Sequence, residues 1–202
     1  MHTTYRTYIL LIPLLLLSCA STKFYVNVNS FSSNINFKQY RYSIESGNKG
    51  VSSSDLEFLS YKRIVDSSLN KNGYFTTTED SCNASILLSY SISAPQRILV
   101  AENQKTNVNI WTGKEEVSMN PEYATIYDKF LQLDVYSRNK NSNPIELWKT
   151  TMTCGGRDSD VGVVIPYLLK IAEKFYGKNS NGKRLLSYDF ETNEIWDESS
   201  SN

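Results

Sequence analysis

The chain has 202 residues, of which 40% are hydrophobic and 21% are charged, and its formal net charge is zero. This composition is normal for a globular domain with a sizeable core, and it excludes a wholly disordered protein. Nucleic-acid binding requires clustered basic residues for phosphate contacts, so the balanced charge argues against nucleic acid as a partner. It argues equally against a polybasic patch for membrane binding.

The N-terminus has the layout of a secretory signal peptide. Arg6 provides a positive charge, and an apolar run follows from Ile9 to Leu17. This run is too short to span about 30 Å of hydrocarbon as a helix, so it does not predict a permanent transmembrane anchor. A short positive region followed by a short apolar region predicts export from the cytoplasm.

The apolar run ends in Leu16-Leu17-Ser18-Cys19, which resembles the lipobox of bacterial lipoproteins. The resemblance implies diacylglycerol on the Cys19 thiol, cleavage before Cys19 and acylation of the new N-terminus. It divides this region into a signal peptide (1–18) and a lipidated N-terminus with a tether (19–23). Two or more acyl chains form a stable membrane anchor. The alternative is an ordinary signal peptide followed by a chance cysteine.

The residues after the lipobox bear on where such a lipoprotein is sorted. Ala20, Ser21 and Thr22 follow Cys19, so the chain lacks the adjacent Asp that retains many lipoproteins in the inner membrane. By this resemblance, the expected location is the outer membrane, facing the periplasm. The expected partners are the membrane, through lipid on Cys19, and other envelope proteins.

The first predicted elements are two strands and a helix. Apolar and polar residues alternate in Phe24–Val28 and Phe37–Ile44, which indicates strands. Ser54 and Glu57 then have the spacing of a capping box, in which each side chain binds the other residue's backbone N–H. The helix that follows has one apolar stripe, formed by Phe58, Tyr61, Val65 and Leu69.

The middle of the chain is rich in β-forming residues. Ala84–Ile92, Asn107–Trp111 and Phe130–Tyr136 each predict a strand. Residues 101–122 otherwise lack clear periodicity and predict a long connection or a hairpin. Phe130–Tyr136 and Ile145–Cys154 predict a β-hairpin with a long loop.

The last part of the chain predicts a second helix and a short strand. Pro166 fits the first turn of a helix, and Asp158, Ser159 or Asp160 could cap its start. Leu185–Phe190 indicates a strand, and residues 191–202 are polar and predict a frayed tail. The apolar stripe of this helix comprises Val161, Val164, Ile165, Leu168, Ile171, Ala172 and Phe175.

This order of elements predicts one α+β domain over residues 24–190. We expect a mainly antiparallel sheet with two helices packed on one face, because each helix has a single apolar stripe.

The mature part also resembles a group of uncharacterised bacterial lipoproteins of unknown function. The resemblance rests on loose patterns: Asn72-Gly73-Tyr74, Leu147-Trp148, the Cys-Gly-Gly-x-x-Ser-Asp stretch from Cys154 to Asp160, Pro166, and Tyr176-Gly177. It implies a compact α+β periplasmic domain and assigns no activity.

Two cysteines remain after Cys19. Cys82 and Cys154 would face an oxidising compartment, and an even pair there predicts a disulfide. Closing a loop of this length would stabilise the fold by about 4 kcal/mol in the chain-entropy model. The alternative is two separate, partly buried thiols. Two cysteines without a histidine are too few ligands for a metal site.

The lack of histidine limits the catalytic and metal-binding sites that the mature chain can form. His2 is the sole histidine and lies in the predicted signal peptide, so the mature chain has none for a Ser-His-Asp triad or a histidine–metal site. Asp158 and Asp160 could form a cation site or an acid–base pair, although helix capping is the favoured interpretation. Trp111 is a candidate exposed contact residue. We predict no metal and no cofactor.

Three functions remain open. The first is a non-catalytic binding or envelope-assembly module, which fits the anchor and the lack of a catalytic motif. The second is a carrier or sensor of a small apolar ligand or lipid. The third is a cell-wall or glycan hydrolase that uses two carboxylates. Its candidates would be Asp128, Asp134, Asp158 and Asp160.

Overall fold

The computed structural model describes residues 23–33, 40–77, 82–108, 112, 115–138 and 143–200. Three sequence predictions fall outside these ranges: the signal peptide at 1–18, the lipidated Cys19 and the contact residue Trp111.

Nine strands and two α-helices form the described part of the chain. In chain order they are β1 (Lys23–Ser32), β2 (Arg41–Ser46), α1 (Leu56–Lys71), β3 (Phe75–Thr76), β4 (Ala84–Ile92), β5 (Gln96–Val108), β6 (Glu115–Ser137), β7 (Glu146–Gly156), α2 (Ile165–Ala172), β8 (Arg184–Asp189) and β9 (Ile195–Asp197). Single turns of 3₁₀ helix follow at Glu173–Phe175 and Glu198–Ser200.

The strands form a mixed sheet in the order β3-β2-β4-β6-β7-β1-β8-β9, and β5 pairs with β6 beside this path. β2 runs parallel to both β3 and β4. The other pairs are antiparallel. The predicted β6–β7 hairpin is confirmed.

The two faces of the sheet differ in what covers them. On β6, Leu131, Leu133 and Val135 belong to the core that both helices also line. We call this face the helix side. Because side chains alternate along a strand, Gln132 and Asp134 point to the opposite face, which we call the outer side.

The first helix carries its apolar stripe as predicted, with Phe58, Tyr61, Val65 and Leu69 buried. Its cap lies one residue later than predicted. The Asp55 carboxylate accepts hydrogen bonds from the backbone N–H groups of Glu57 (2.9 Å) and Phe58 (3.1 Å). The predicted Ser54 capping box does not form, since the Glu57 carboxylate accepts a hydrogen bond from the Tyr61 hydroxyl instead.

The second helix begins at Ile165 with Pro166 in its first turn, which confirms the prediction from proline. The predicted side-chain cap is wrong, because the N-cap residue is Val164 and no side chain caps the helix.

Trp148 is 1% exposed and anchors an aromatic cluster on the helix side. Its ring centroid lies 5.7 Å from that of Tyr176 and 6.4 Å from that of Tyr74. Trp148 is therefore a central residue of the core.

The α+β fold class is wrong. Strands hold 52% of the described residues, the sheet is mixed, and the two helices are short. The main cause is the long pairing of β5 with the first half of β6, in the segment that the sequence left as a connection or hairpin. The fold is therefore β-rich, with two helices covering one side of a mixed sheet.

The predicted frayed tail is also partly wrong. Ile195 and Trp196 pair with Tyr188 and Ser187 on β8, which extends the sheet by strand β9. A 3₁₀ turn follows directly.

Candidate functional site

The two predicted disulfide partners lie far apart. Ala84, two residues after Cys82, pairs with Ser137 on β6, whereas Cys154 pairs with Lys129. These two β6 positions are eight residues apart, which is about 26 Å along a strand. A disulfide requires Cα atoms within about 7 Å. The disulfide prediction is therefore wrong for this fold, since neither Cys82 nor Cys154 forms a disulfide.

The two thiols differ in environment. Cys154 is buried on the helix side, and burial raises the pKa of its thiol to about 11. Cys82 is half-buried, and its sulfur lies 3.4 Å from both the Ser43 hydroxyl and the Arg138 guanidinium. The Cys82 sulfur thus lies beside a hydroxyl and a guanidinium, whereas Cys154 is shielded from solvent.

Asp158 and Asp160 bind backbone within their own loop. The Asp158 carboxylate accepts a hydrogen bond from the backbone N–H of Asp160 (2.8 Å), and Asp160 accepts one from Gly162 (2.7 Å). Both side chains are exposed. They therefore stabilise consecutive turns before α2, which accounts for their presence without a ligand.

The other two candidate carboxylates are also separated. Asp128 accepts a hydrogen bond from the Gln96 amide (3.1 Å), and Asp134 pairs with Lys149 (3.1 Å). They are six positions apart on β6, or about 20 Å. Glycosidase carboxylates lie about 5–10 Å apart, so these two cannot act on one bond.

The described ranges contain neither a cluster of metal ligands nor a membrane-spanning helix. Within those ranges, no three His, Cys, Asp or Glu side chains come together as a metal site. None of the described helices is long and apolar enough to cross a membrane.

A shallow groove of about 450 Å³ lies between α1 and α2. Arg63, Lys71 and Lys170 line it, and Lys170 pairs with Glu173 at 3.8 Å. An apolar ligand would instead need a cavity between the sheet and the helices, where the described side chains form a continuous core. The groove also contains Ile64, Pro166 and Leu169, but it is shallow and does not enclose an apolar ligand as a carrier site would.

Lys129 is unusual because it is 1% exposed on the helix side, beside Cys154. Its ammonium lies 3.2 Å from the place that a Cβ on Gly156 would occupy. No carboxylate of the described residues forms an ion pair with it. Burying an unpaired cation destabilises a fold.

The feature most suggestive of function is a two-stranded ribbon, formed by β5 and residues 115–126 of β6. Within the described ranges these residues of β6 pair with β5 alone, whereas the rest of the strand pairs with β4 and β7. The ribbon spans twelve residues of β6, or about 40 Å. Nearly all of its described side chains are exposed.

One face of the ribbon carries a row of apolar side chains, with polar residues of β5 beside part of it. Val117, Met119 and Tyr123 alternate along β6, and Leu99 on β5 lies opposite Tyr123. Their exposed fractions are 54%, 60%, 50% and 49%. We call these four residues the ribbon row. Val117, Met119 and Tyr123 are an even number of residues from Leu131 on β6, so they lie on the same face as this core residue. The ribbon row therefore continues the helix side of β6 beyond the part that the helices cover.

The other face of the ribbon is polar through most of its length. Ser118 lies opposite Lys105, and Asn120 lies opposite Asn103. Glu122 lies opposite Ala101. The ribbon was not predicted from the sequence, because its apolar residues are too sparse to give the alternating pattern of a strand.

Two local features shape the ribbon near its base. The register shifts between Leu99 and Ala101, which leaves Val100 as a β-bulge. The Arg97 guanidinium lies 4.6 Å from the centroid of the Tyr123 ring, a cation–π contact on the apolar face. The bulge interrupts the regular edge of β5 and so opposes simple edge-to-edge pairing.

Comparisons with known proteins give no family. No protein-family model matches the chain, and no curated protein matches it. A PDZ domain protein from Parabacteroides distasonis is similar at 12% identity and TM-score 0.42, over 84% of this chain and 42% of that one.

Two PelC dodecamer structures from Paraburkholderia phytofirmans are similar at 13% identity, over 75% of this chain and 95% of theirs, with TM-scores of 0.42 and 0.41. Likeness this distant assigns no activity.

Proposed function

We propose that this protein is a lipid-anchored, non-catalytic binding module of the bacterial cell envelope, and that its ribbon contacts a partner protein. The lipobox supports the anchor. The exposed ribbon row supports binding, because an apolar row that no described part of the chain covers is typical of an interaction surface.

Charge favours a protein over lipid as the occupant of the ribbon row. The ribbon contains four glutamates, at 102, 115, 116 and 122, against Arg97 and Lys105. A net negative element is repelled by anionic lipid headgroups. The matching partner presents an apolar strip bordered by basic side chains.

The placement of the candidate carboxylates supports binding over hydrolysis. Asp158 and Asp160 are occupied by their own turns, and Asp134 is paired with Lys149.

The anchor is tested by intact mass spectrometry of the protein from its native membrane. The proposal expects a chain that begins at Cys19 and carries acyl chains, and Cys19→Ser should remove both the added mass and the membrane association. An unmodified N-terminus at another residue would contradict the anchor.

The ribbon is tested by placing a photocrosslinking amino acid at Met119 in intact cells. Val163, which is 50% exposed in the loop before α2, is the matched control position. The proposal expects a discrete protein adduct from Met119 and none from Val163. A lipid adduct from Met119, or no adduct at all, would contradict a protein partner.

A further inference from the structure

The outer side of the sheet carries exposed apolar side chains close to the start of β1. Tyr25 lies opposite Ser187 on β8, and Ser187 lies opposite Trp196 on β9. Paired residues share a face, so Tyr25 and Trp196 flank Ser187 on the outer side. Leu185 lies two residues along β8 on the same face. We call Tyr25, Leu185 and Trp196 the outer patch; their exposed fractions are 50%, 37% and 52%.

The predicted lipid site is very close to this patch along the chain. Cys19 precedes Lys23 by four residues, which span at most about 14 Å even when fully extended. This limit holds for any conformation of the tether. If Cys19 carries lipid, Tyr25 is therefore held within reach of the headgroup region, which is several ångströms thick on each side of the hydrocarbon.

The ribbon leaves the sheet at this same end. Asn27 lies opposite Thr153 on β7, and continuing that register places Phe24 level with Gly156. Gly156 lies opposite Tyr127, where the ribbon part of β6 begins. The start of β1 and the base of the ribbon are therefore level, two strands apart.

This geometry restricts how the domain meets a membrane. A ribbon of about 40 Å projecting past a tether of about 14 Å would enter the bilayer if the strands stood upright. The ribbon is polar on one face and rich in glutamate, so burial in hydrocarbon is unfavourable. The strands must instead run nearly parallel to the membrane surface.

We infer that the outer patch rests on the headgroup region of the anchoring membrane, so that the sheet lies flat with its helix side away from the bilayer. Tyrosine and tryptophan favour this region because their rings are apolar at one end and polar at the other. This inference rests on the lipid anchor of the proposed function. It also leaves the base of the ribbon row facing away from lipid, where a partner protein can reach it.

The charges around the outer patch do not require anionic lipid. Asp197 pairs with Arg184 at 3.2 Å, and Glu198 pairs with Lys23 at 3.4 Å. These carboxylates are thus already paired within the chain, and the contact should form on a zwitterionic surface.

Tryptophan quenching tests the contact on the full lipidated protein. The chain has three tryptophans, and Trp111→Phe leaves Trp196 and the buried Trp148. This variant is reconstituted into phosphatidylcholine vesicles that contain lipid brominated near the acyl carbonyl. We expect the bromolipid to quench Trp196 emission, and the Trp111→Phe/Trp196→Phe control, with Trp148 alone, to show no quenching.

Mass spectrometry of the same preparation distinguishes a failure of the membrane contact from a failure of the lipid anchor. Acylated protein whose Trp196 emission is unquenched overturns the membrane contact and leaves the anchor standing. Protein without acyl chains overturns the anchor and, with it, the contact that depends on it. Acylated protein with selective quenching of Trp196 supports both.

Discussion

Two residues on the same face of β6 should differ in how much their truncation to alanine changes the free energy of unfolding. Leu131 is fully buried beneath the helices, whereas Met119, twelve residues earlier on the same face, is 60% exposed in the ribbon. We expect Leu131→Ala to lower the free energy of unfolding by about 2–5 kcal/mol, through lost burial and the cavity left behind. We expect Met119→Ala to change it by less than about 0.5 kcal/mol, as is usual for surface positions.

Urea unfolding of the chain from Ala20 onward measures both changes, with Trp148 fluorescence reporting on the core. The Leu131→Ala midpoint should fall by roughly 1–2 M urea, given the denaturant dependence usual for small domains. The Met119→Ala midpoint should stay in place. A loss of more than about 1 kcal/mol for Met119→Ala would refute the reasoning, because it would mean that the chain itself covers the ribbon row.

The remaining predictions concern the helix cap, the buried lysine and the two thiols. Asp55→Ala should cost about 1 kcal/mol in a thermal or urea melt by removing the α1 cap, while Ser54→Ala should cost far less; equal costs would contradict the observed cap. Lys129→Met keeps the buried stem and removes the ammonium, so the free energy of unfolding in a urea melt should not fall; a fall would show that the ammonium has a partner. Since burial raises the pKa of Cys154 to about 11, a thiol-alkylating reagent at neutral pH should modify Cys82 and spare Cys154 until the protein unfolds; equal labelling in the native state would contradict its burial.

Helical periodicity was predictable because it depends on one element alone. The α1 stripe recurs every three or four residues, and all four predicted positions, from Phe58 to Leu69, are buried. The cap was misplaced by one residue because Ser54 and Asp55 are both good cap residues, and only the backbone geometry decides between them.

Strand pairing was less predictable because it depends on distant residues. The ribbon strands are exposed on both faces, so their sequence lacks the strict alternation of a half-buried strand. Pro121 further disguises β6, and it is tolerated because this part of β6 pairs on one edge only. The fold class was misjudged for this reason.

The candidate site depended on register in the same way. An even number of cysteines does not show where each lies along the paired strands. The pairing places Cys82 and Cys154 toward opposite ends of the sheet. The outer patch likewise joins residues from β1, β8 and β9 that are up to 171 positions apart in sequence, Tyr25 and Trp196 being the extremes. Only the observed pairing brings them to one face.

The most direct test of the proposed function compares crosslinking from two adjacent ribbon residues in intact cells. Met119 and Ser118 are both exposed, but alternation directs them to opposite faces of the ribbon. If the ribbon row binds a partner protein, a photocrosslinker at Met119 yields a discrete protein adduct, and the same group at Ser118 yields little. Equal adducts from both positions, or none from Met119, would contradict the account.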